Sequence, residues 1–190
     1  MGINYLVLHP GSHVGLGVEV AIKNISDALN EILDNNYNVT ILLETMAGKG
    51  TEVGKTIDEI KAIIDRVKYK EKIGICLDTC HLNDAGYDIS KFSNILDEID
   101  SKIGLLYVKC IHINDSKNPF SSHKDRHANI GFGTIGFENL LQVIYDKRTI
   151  NIPKILETPY IGEKAPYKEE IEMIKNKEFN SHVFDNLIEK

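Results

Sequence analysis

No apolar run in the 190-residue chain approaches the roughly 18 consecutive residues that a membrane-crossing helix requires. The N-terminus, Met1 to His9, lacks both a positively charged stretch and a small-residue cleavage site, so it does not read as a secretory signal. Cysteine is scarce. Cys76, Cys80 and Cys110 are odd in number and their spacing is not C-x-x-C, which argues against a disulfide framework or an all-cysteine zinc knuckle. Basic charge is short as well: 22 Lys and Arg stand against 28 Asp and Glu, a net charge of −6. Binding of nucleic acid by bulk positive charge is thereby disfavoured, although a local cationic site is not. An intracellular, reducing compartment and no membrane partner are expected. No internal repeat, low-complexity tract or composition break divides the chain. Residues 1–190 are therefore expected to form one domain, with 178–190 as a tail of unassigned structure.

What is present is a regular alternation. Tyr5 to Leu8, Val39 to Leu43, Ile73 to Leu77, a segment within Leu105 to Ile113, and Ile152 to Leu156 are short apolar runs. Between them lie stripes at three- and four-residue steps. They run from Val18 to Leu33 (stopped by Asn35-Asn36), from Ile57 to Val67, from Phe92 to Ile99, from Phe137 to Ile144, and over Tyr167 to Lys177. Strands apolar throughout and separated by amphipathic helices imply parallel βαβ units with both sheet faces covered. The fold class is α/β.

In such a sheet, function collects at the carboxyl ends of the strands. The residues there are His9, Glu44, Asp78, His112 and Glu157, with His81, Asp125 and His127 close in sequence. Each alone is more simply a helix cap or a solvated loop residue; Asp78-Thr79, for one, suits an N-cap. Five consecutive strands ending in one chemistry favour a metal site. Imidazole and carboxylate together suit Zn²⁺, Mn²⁺ or Fe²⁺ better than Mg²⁺ or Ca²⁺. Eight ligands are too many for one tetrahedral ion, so two or three ions are implied, and such clusters suit phosphate-ester hydrolysis. Gly50 to Thr56 imitates a phosphate-binding loop with the wrong spacing. His13, His123 and His182 read as surface residues and Cys80 as packing.

The motifs His9-Pro10-Gly11-Ser12-His13, Asp78-Thr79-Cys80-His81, His112-Ile113-Asn114-Asp115-Ser116-Lys117, Asp125-Arg126-His127 and Leu156-Glu157-Thr158 jointly resemble the endonuclease IV family. The resemblance implies a zinc-dependent apurinic/apyrimidinic endonuclease of base-excision repair, cleaving double-stranded DNA 5′ to an abasic site. It also implies a partial TIM barrel whose five parallel βα units correspond to strands 4–8 of a (β/α)₈ barrel. Carried over, His9 and Glu44 would hold a first Zn²⁺; Glu44 would bridge to a second, completed by Asp78, His112 and Glu157; His81, Asp125 and His127 would hold a third. Glu44 and Glu157 would be the catalytic carboxylates, with Arg126, Lys117 and Gly48 meeting the DNA. Mn²⁺ is a second candidate ion.

Two departures qualify the pattern. Glu44 is followed by Thr45-Met46 where the family usually has Asn-Thr. No counterpart precedes His9 for a further family zinc histidine, so the first site is expected to be incomplete. The chain is then expected to be N-terminally truncated and weakly active or inactive, with exposed sheet edges prone to self-association. Two alternatives stand beside this reading. One is a sugar isomerase or epimerase of the same barrel class, distinguished by a single Mn²⁺ or Mg²⁺. The other is a non-catalytic metal- or DNA-binding product.

Overall fold

The computed structural model describes residues 2–33 and 38–188. In chain order its elements are β1 (Tyr5–Leu8), α1 (Val18–Ile32), β2 (Thr40–Glu44), α2 (Ile57–Arg66), β3 (Ile73–Asp78), α3 (Thr79–Ala85), α4 (Phe92–Lys102), β4 (Val108–His112), β5 (Asp115–Ser116), β6 (His127–Ala128), α5 (Phe137–Ile144), β7 (Lys154–Ile155), α6 (Tyr167–Asn176) and α7 (Asp185–Ile188). Five strands pair in parallel in the order β1-β2-β3-β4-β7. The sheet curls as part of a TIM barrel, as expected. The ribbon β5-β6 is antiparallel and separate.

Alternation along the strands sorts the side chains. Leu43, Ile75, Leu77, Ile111 and Ile113 pack outward with Ile60, Ile63, Leu96, Ile99 and Leu140 of the helices in the main core. Each such fully buried side chain contributes about 1.5–3 kcal/mol. Val7, Leu42, Cys76 and Cys110 form a small inner cluster on the concave face. Two residues further along β1 to β4, the same parity delivers His9, Glu44, Asp78 and His112 to one rim.

Several boundaries differ from the sequence reading, each for a local reason. β2 extends to Glu44 and β3 to Asp78, so both carboxylates are strand residues. β4 starts only at Val108, because Leu105–Tyr107 form a 3₁₀ turn. The last strand shrinks to Lys154–Ile155; Pro153 has no amide to donate, although its carbonyl accepts from Ile111. Helix α6 stops at Asn176 because Lys177 adopts a left-handed conformation. The Asn35-Asn36 stop and the last two residues of the tail lie outside the described residues.

Two elements were not read from the sequence at all. Helix α3 is only seven residues long and is capped by Asp78, whose side chain accepts from the His81 amide; Gly86 closes it at φ 101°. The ribbon β5-β6 pairs Asp115 with Ala128 and Ser116 with His127. The false phosphate loop also has its structural explanation. Thr56 caps α2 by accepting from Glu59, and the Glu59 carboxylate reaches back to the amides of Gly54 and Lys55.

Candidate metal centre

Glu44 sits at the middle of the rim, almost wholly buried, with imidazoles around it. Its Oε2 is 3.1 Å from His9 Nε2, and its Oε1 is 3.0 Å from His112 Nδ1 and 3.4 Å from His81 Nδ1. His112 Nδ1 is also 3.0 Å from Glu157 Oε2 and 3.9 Å from Asp78 Oδ2. Glu44, Asp78, His112 and Glu157 thus converge, with one ligand atom of each within 4.8 Å of the others. His81, Asp125 and His127 form a second such group: His81 Nε2 lies 3.0 Å from Asp125 Oδ1, which is 3.6 Å from His127 Nε2. His9 is the outlier. It lies just past the end of the edge strand β1 with its side chain 58% exposed, and Glu44 is its one ligand-type partner by ion-pair distance among the described residues.

The supporting contacts orient these side chains for cations. His127 Nδ1 faces the Glu157 carbonyl at 3.1 Å and His81 Nδ1 faces the Thr45 carbonyl at 2.8 Å. An N–H donated to a carbonyl leaves the opposite ring nitrogen as a lone pair. For His127 that nitrogen, Nε2, is buried without a hydrogen-bond partner and points toward Asp78 and Asp125. An orphaned imidazole nitrogen among carboxylates is what a bound divalent ion would satisfy, so the donor set fits a metal.

Electrostatics carry the same message. At His112 burial opposes protonation, but hydrogen bonds with Cys110, Glu157 and Glu44 outweigh it and push the pKa up to about 12. At His81 burial again opposes, and Asp78 and Asp125 raise it to about 10. Conversely, the hydrogen bond from His112 holds Glu157 below the usual carboxylate range, and that from His81 does the same for Asp125. The clustered carboxylates demand positive charge, and protons supply it where cations do not.

Residues beyond the sequence reading hold this arrangement. Asn114 donates from Nδ2 to Asp78 Oδ2 at 2.7 Å and accepts the Glu157 amide at 3.0 Å, while Thr79 hydrogen-bonds its backbone in both directions. Asn114 lies two residues past His112, a period-two step that could have flagged it. Thr45, the departure from the family pattern, uses its hydroxyl to accept the Asp78 amide at 3.0 Å. Buried Asp84 accepts from Ser116, Asn118 and the Asp125 amide, fixing the loop on which Asp125 takes φ 55°. Asn and Asp tolerate that left-handed region better than other side chains.

Lys117 and Arg126 are exposed neighbours flanking the ribbon, the Lys117 amide donating to the Arg126 carbonyl at 2.9 Å. Gly48 has φ 77°, and a Cβ there would come within 2.8 Å of Lys55. His123 is a surface residue whose Nδ1 nonetheless meets the Ala47 carbonyl at 2.9 Å. His13 is half-buried, its amide donating to the Thr51 carbonyl, and His182 is exposed. Cys80 is buried, and burial pushes its thiol up.

A curled parallel sheet with imidazoles and carboxylates along its carboxyl rim defines a barrel protein whose rim side chains are grouped as they would be to hold metal ions. The chain belongs to the xylose isomerase-like TIM-barrel family, whose model matches residues 1–177. Within it, the chain is 56% identical over 189 residues to a protein of Acholeplasma laidlawii named probable endonuclease 4, covering 98% of this chain and 63% of that one. A probable endonuclease 4 of Enterococcus faecalis is 53% identical, with 98% and 65% covered. Among solved structures, endonuclease IV from Thermus thermophilus superposes with a TM-score of 0.76 at 32% identity, over 92% of this chain and 61% of that one. The chain therefore spans less than two thirds of the length of these relatives. A D-tagatose 3-epimerase-like protein matches with a TM-score of 0.64 at 22% identity, which reflects the shared barrel fold alone.

Proposed function

We propose that the rim is a multi-ion centre for hydrolysis of a DNA phosphodiester 5′ to an abasic site. The observation that carries this reading is Glu44 standing between separate ligand sets, which suits adjacent ions better than a single one. Similarity to proteins named endonuclease 4 supports the substrate class. Zn²⁺ is the ion the ligands favour, with Mn²⁺ second. His9 and Glu44 would hold the first ion, Glu44 with Asp78, His112 and Glu157 the second, and His81, Asp125 and His127 the third. Divalent ions bound there supply charge to neutralise phosphate oxygens and lower the pKa of water. Three of them would also offset the net charge of −6.

The chain's own groups do the positioning. Glu44 and Glu157 are the catalytic carboxylates of this reading, and Asn114 fixes Glu157 relative to Asp78. Arg126, exposed beside the ribbon, enters the minor groove of the DNA, Lys117 assists near the phosphates, and Gly48 meets the duplex. Flipping out a nucleotide that has already lost its base is cheap.

The test is a Zn²⁺-loaded protein incubated with a duplex carrying one tetrahydrofuran abasic analogue. Incision on the 5′ side by the wild type and none by Glu157→Gln is expected. With two ligands against four and three, the first ion should be the first lost to a chelator. Equal cleavage of intact and abasic duplexes, or incision unaffected by Glu157→Gln, overturns the reading. A single bound ion with sugar epimerisation would move the chain to the isomerase class.

A further inference from the structure

One layer below the rim lies a second group of ligand-type side chains that phosphodiester chemistry does not use. Cys76 and Cys110 are register partners on the adjacent parallel strands β3 and β4. Both occupy the inner cluster with Leu42 and Val7, and both are free thiols. A register shift at this step, where Ile75 pairs with Val108 but Cys76 with Cys110, brings Cys110 onto the concave face beside Cys76. The two sulfurs and a ring nitrogen of His112 lie within 4.8 Å of one another, and all three residues are buried. His112 sits one strand period beyond Cys110, so its ring faces both layers. Nδ1 approaches Glu44 and Glu157, and a ring nitrogen lies within 4.8 Å of the Cys110 sulfur.

We propose that Cys76, Cys110 and His112 form a separate, sulfur-rich site beneath the rim that takes a thiophilic d¹⁰ cation such as Cd²⁺, Cu⁺ or Zn²⁺. Two thiolates and an imidazole select soft or borderline ions, whereas the oxygen-rich rim above does not demand them. On binding, each S–H bond gives its proton to solvent as the sulfur–metal bond forms, with no change of oxidation state. Asp78 and Glu44, two residues further along β3 and β2, add negative charge that favours a cation in this layer. His112 serves both layers, so an ion held by the thiols competes with the rim for its ring. Thiophilic ions should therefore inhibit through the lower layer. That consequence rests on the proposed nuclease reading; binding itself does not.

Cd²⁺ titrated into the metal-free protein reports directly through ultraviolet thiolate-to-metal charge-transfer absorption. The expected result is saturation at one equivalent, retained in Cys80→Ala and in Glu157→Gln. Cys110→Ala should weaken Cd²⁺ binding roughly tenfold or more, and the Cys76→Ala/Cys110→Ala pair should abolish the band. Far-ultraviolet circular dichroism checks that each variant folds. A measurement on the wild type alone guards against misfolded variants. In mild denaturant, Cd²⁺ should shield Cys76 and Cys110 but not Cys80 from alkylation, read by peptide mass spectrometry. A band that survives the double substitution, one that vanishes in Cys80→Ala, or shielding of Cys80 alone would overturn the proposal. The last two outcomes would point instead to the Asp78, Cys80 and His127 group. If abasic-site incision is present, Cd²⁺ should inhibit the wild type and Cys80→Ala more strongly than Cys110→Ala.

Discussion

At the scale of single residues, the proposed centre rests as much on side chains that hold the ligand-type residues as on those residues. Asn114 is the clearest case, since one buried amide fixes Asp78 on β3 and the Glu157 amide after β7. Asn114→Ala leaves a buried Asp78 oxygen and a backbone N–H without their partners, at about 1–3 kcal/mol per unsatisfied group. Metal affinity should also fall by roughly 10–100-fold, the usual effect of losing an orienting partner. Competition with a chromophoric chelator measures the second quantity and chemical denaturation the first. A variant that unfolds at the same denaturant concentration and holds its ions equally well would remove Asn114 from this role. Five of the eight ligand-type residues were legible from the sequence because strand ends could be counted; His81, Asp125 and His127 were added as polar neighbours in sequence. Asn114 and Asp84 were not singled out, and Thr45 was noted only as a departure from the family pattern, since an Asn, Thr or Asp carries no chemical signature until its partners are in place.

At the scale of elements, helix α6 acts as a clamp on two loops. Buried Glu170 accepts from the Ile130 amide, from Asn129 Nδ2 and from the Thr158 hydroxyl, and Asn129 also donates to the Pro159 carbonyl. It thereby ties the segment after His127 to the segment after Glu157. Burial raises the Glu170 carboxyl above its ordinary value of 4.5, more than its hydrogen bonds lower it. The native state then holds this proton more tightly than the unfolded state. The associated stability is fully present below about 4.5 and is lost as pH rises through the raised folded value. Buried Asp115, which accepts amides of Gly131, Gly133 and Ile135, is raised in the same direction. Glu170→Gln should therefore flatten part of the decline in stability over the window just above 4.5, leaving the Asp115 share. Denaturation midpoints of the two proteins across that window test it; parallel pH profiles would show that Glu170 does not titrate there. The clamp was invisible in the sequence, where Glu170 is one acidic residue among several on a helix.

At the scale of the whole molecule, the curled sheet has two outer edges. Among the described residues β1 pairs only with β2 and β7 only with β4. Tyr5 and Leu6 on the first edge and Ile155 on the last are exposed apolar side chains. Unpaired edges with apolar faces recruit further strands. The 190-residue chain should therefore self-associate, and Leu6→Lys should shift it toward monomer without altering the rim ligands. Sedimentation velocity over a range of concentrations measures this. A monomer at every concentration in the wild type would refute it.

The sequence by itself determined the α/β class, the order of the five parallel strands with the long helices between them, and the five polar side chains at the strand ends. Periodicity and strand-end position are local properties, and they suffice for all three. Tertiary structure alone decided which ligands form groups, because grouping depends on distances between strands far apart in sequence: Glu44 meets His112 across 68 positions. It decided the ribbon that presents Arg126 and Lys117, since a two-residue strand carries no periodic signal. It also brought Cys76 beside Cys110 beneath His112. That pairing follows from the register of two parallel strands, which hydrogen bonding and packing across the sheet set and no local pattern encodes.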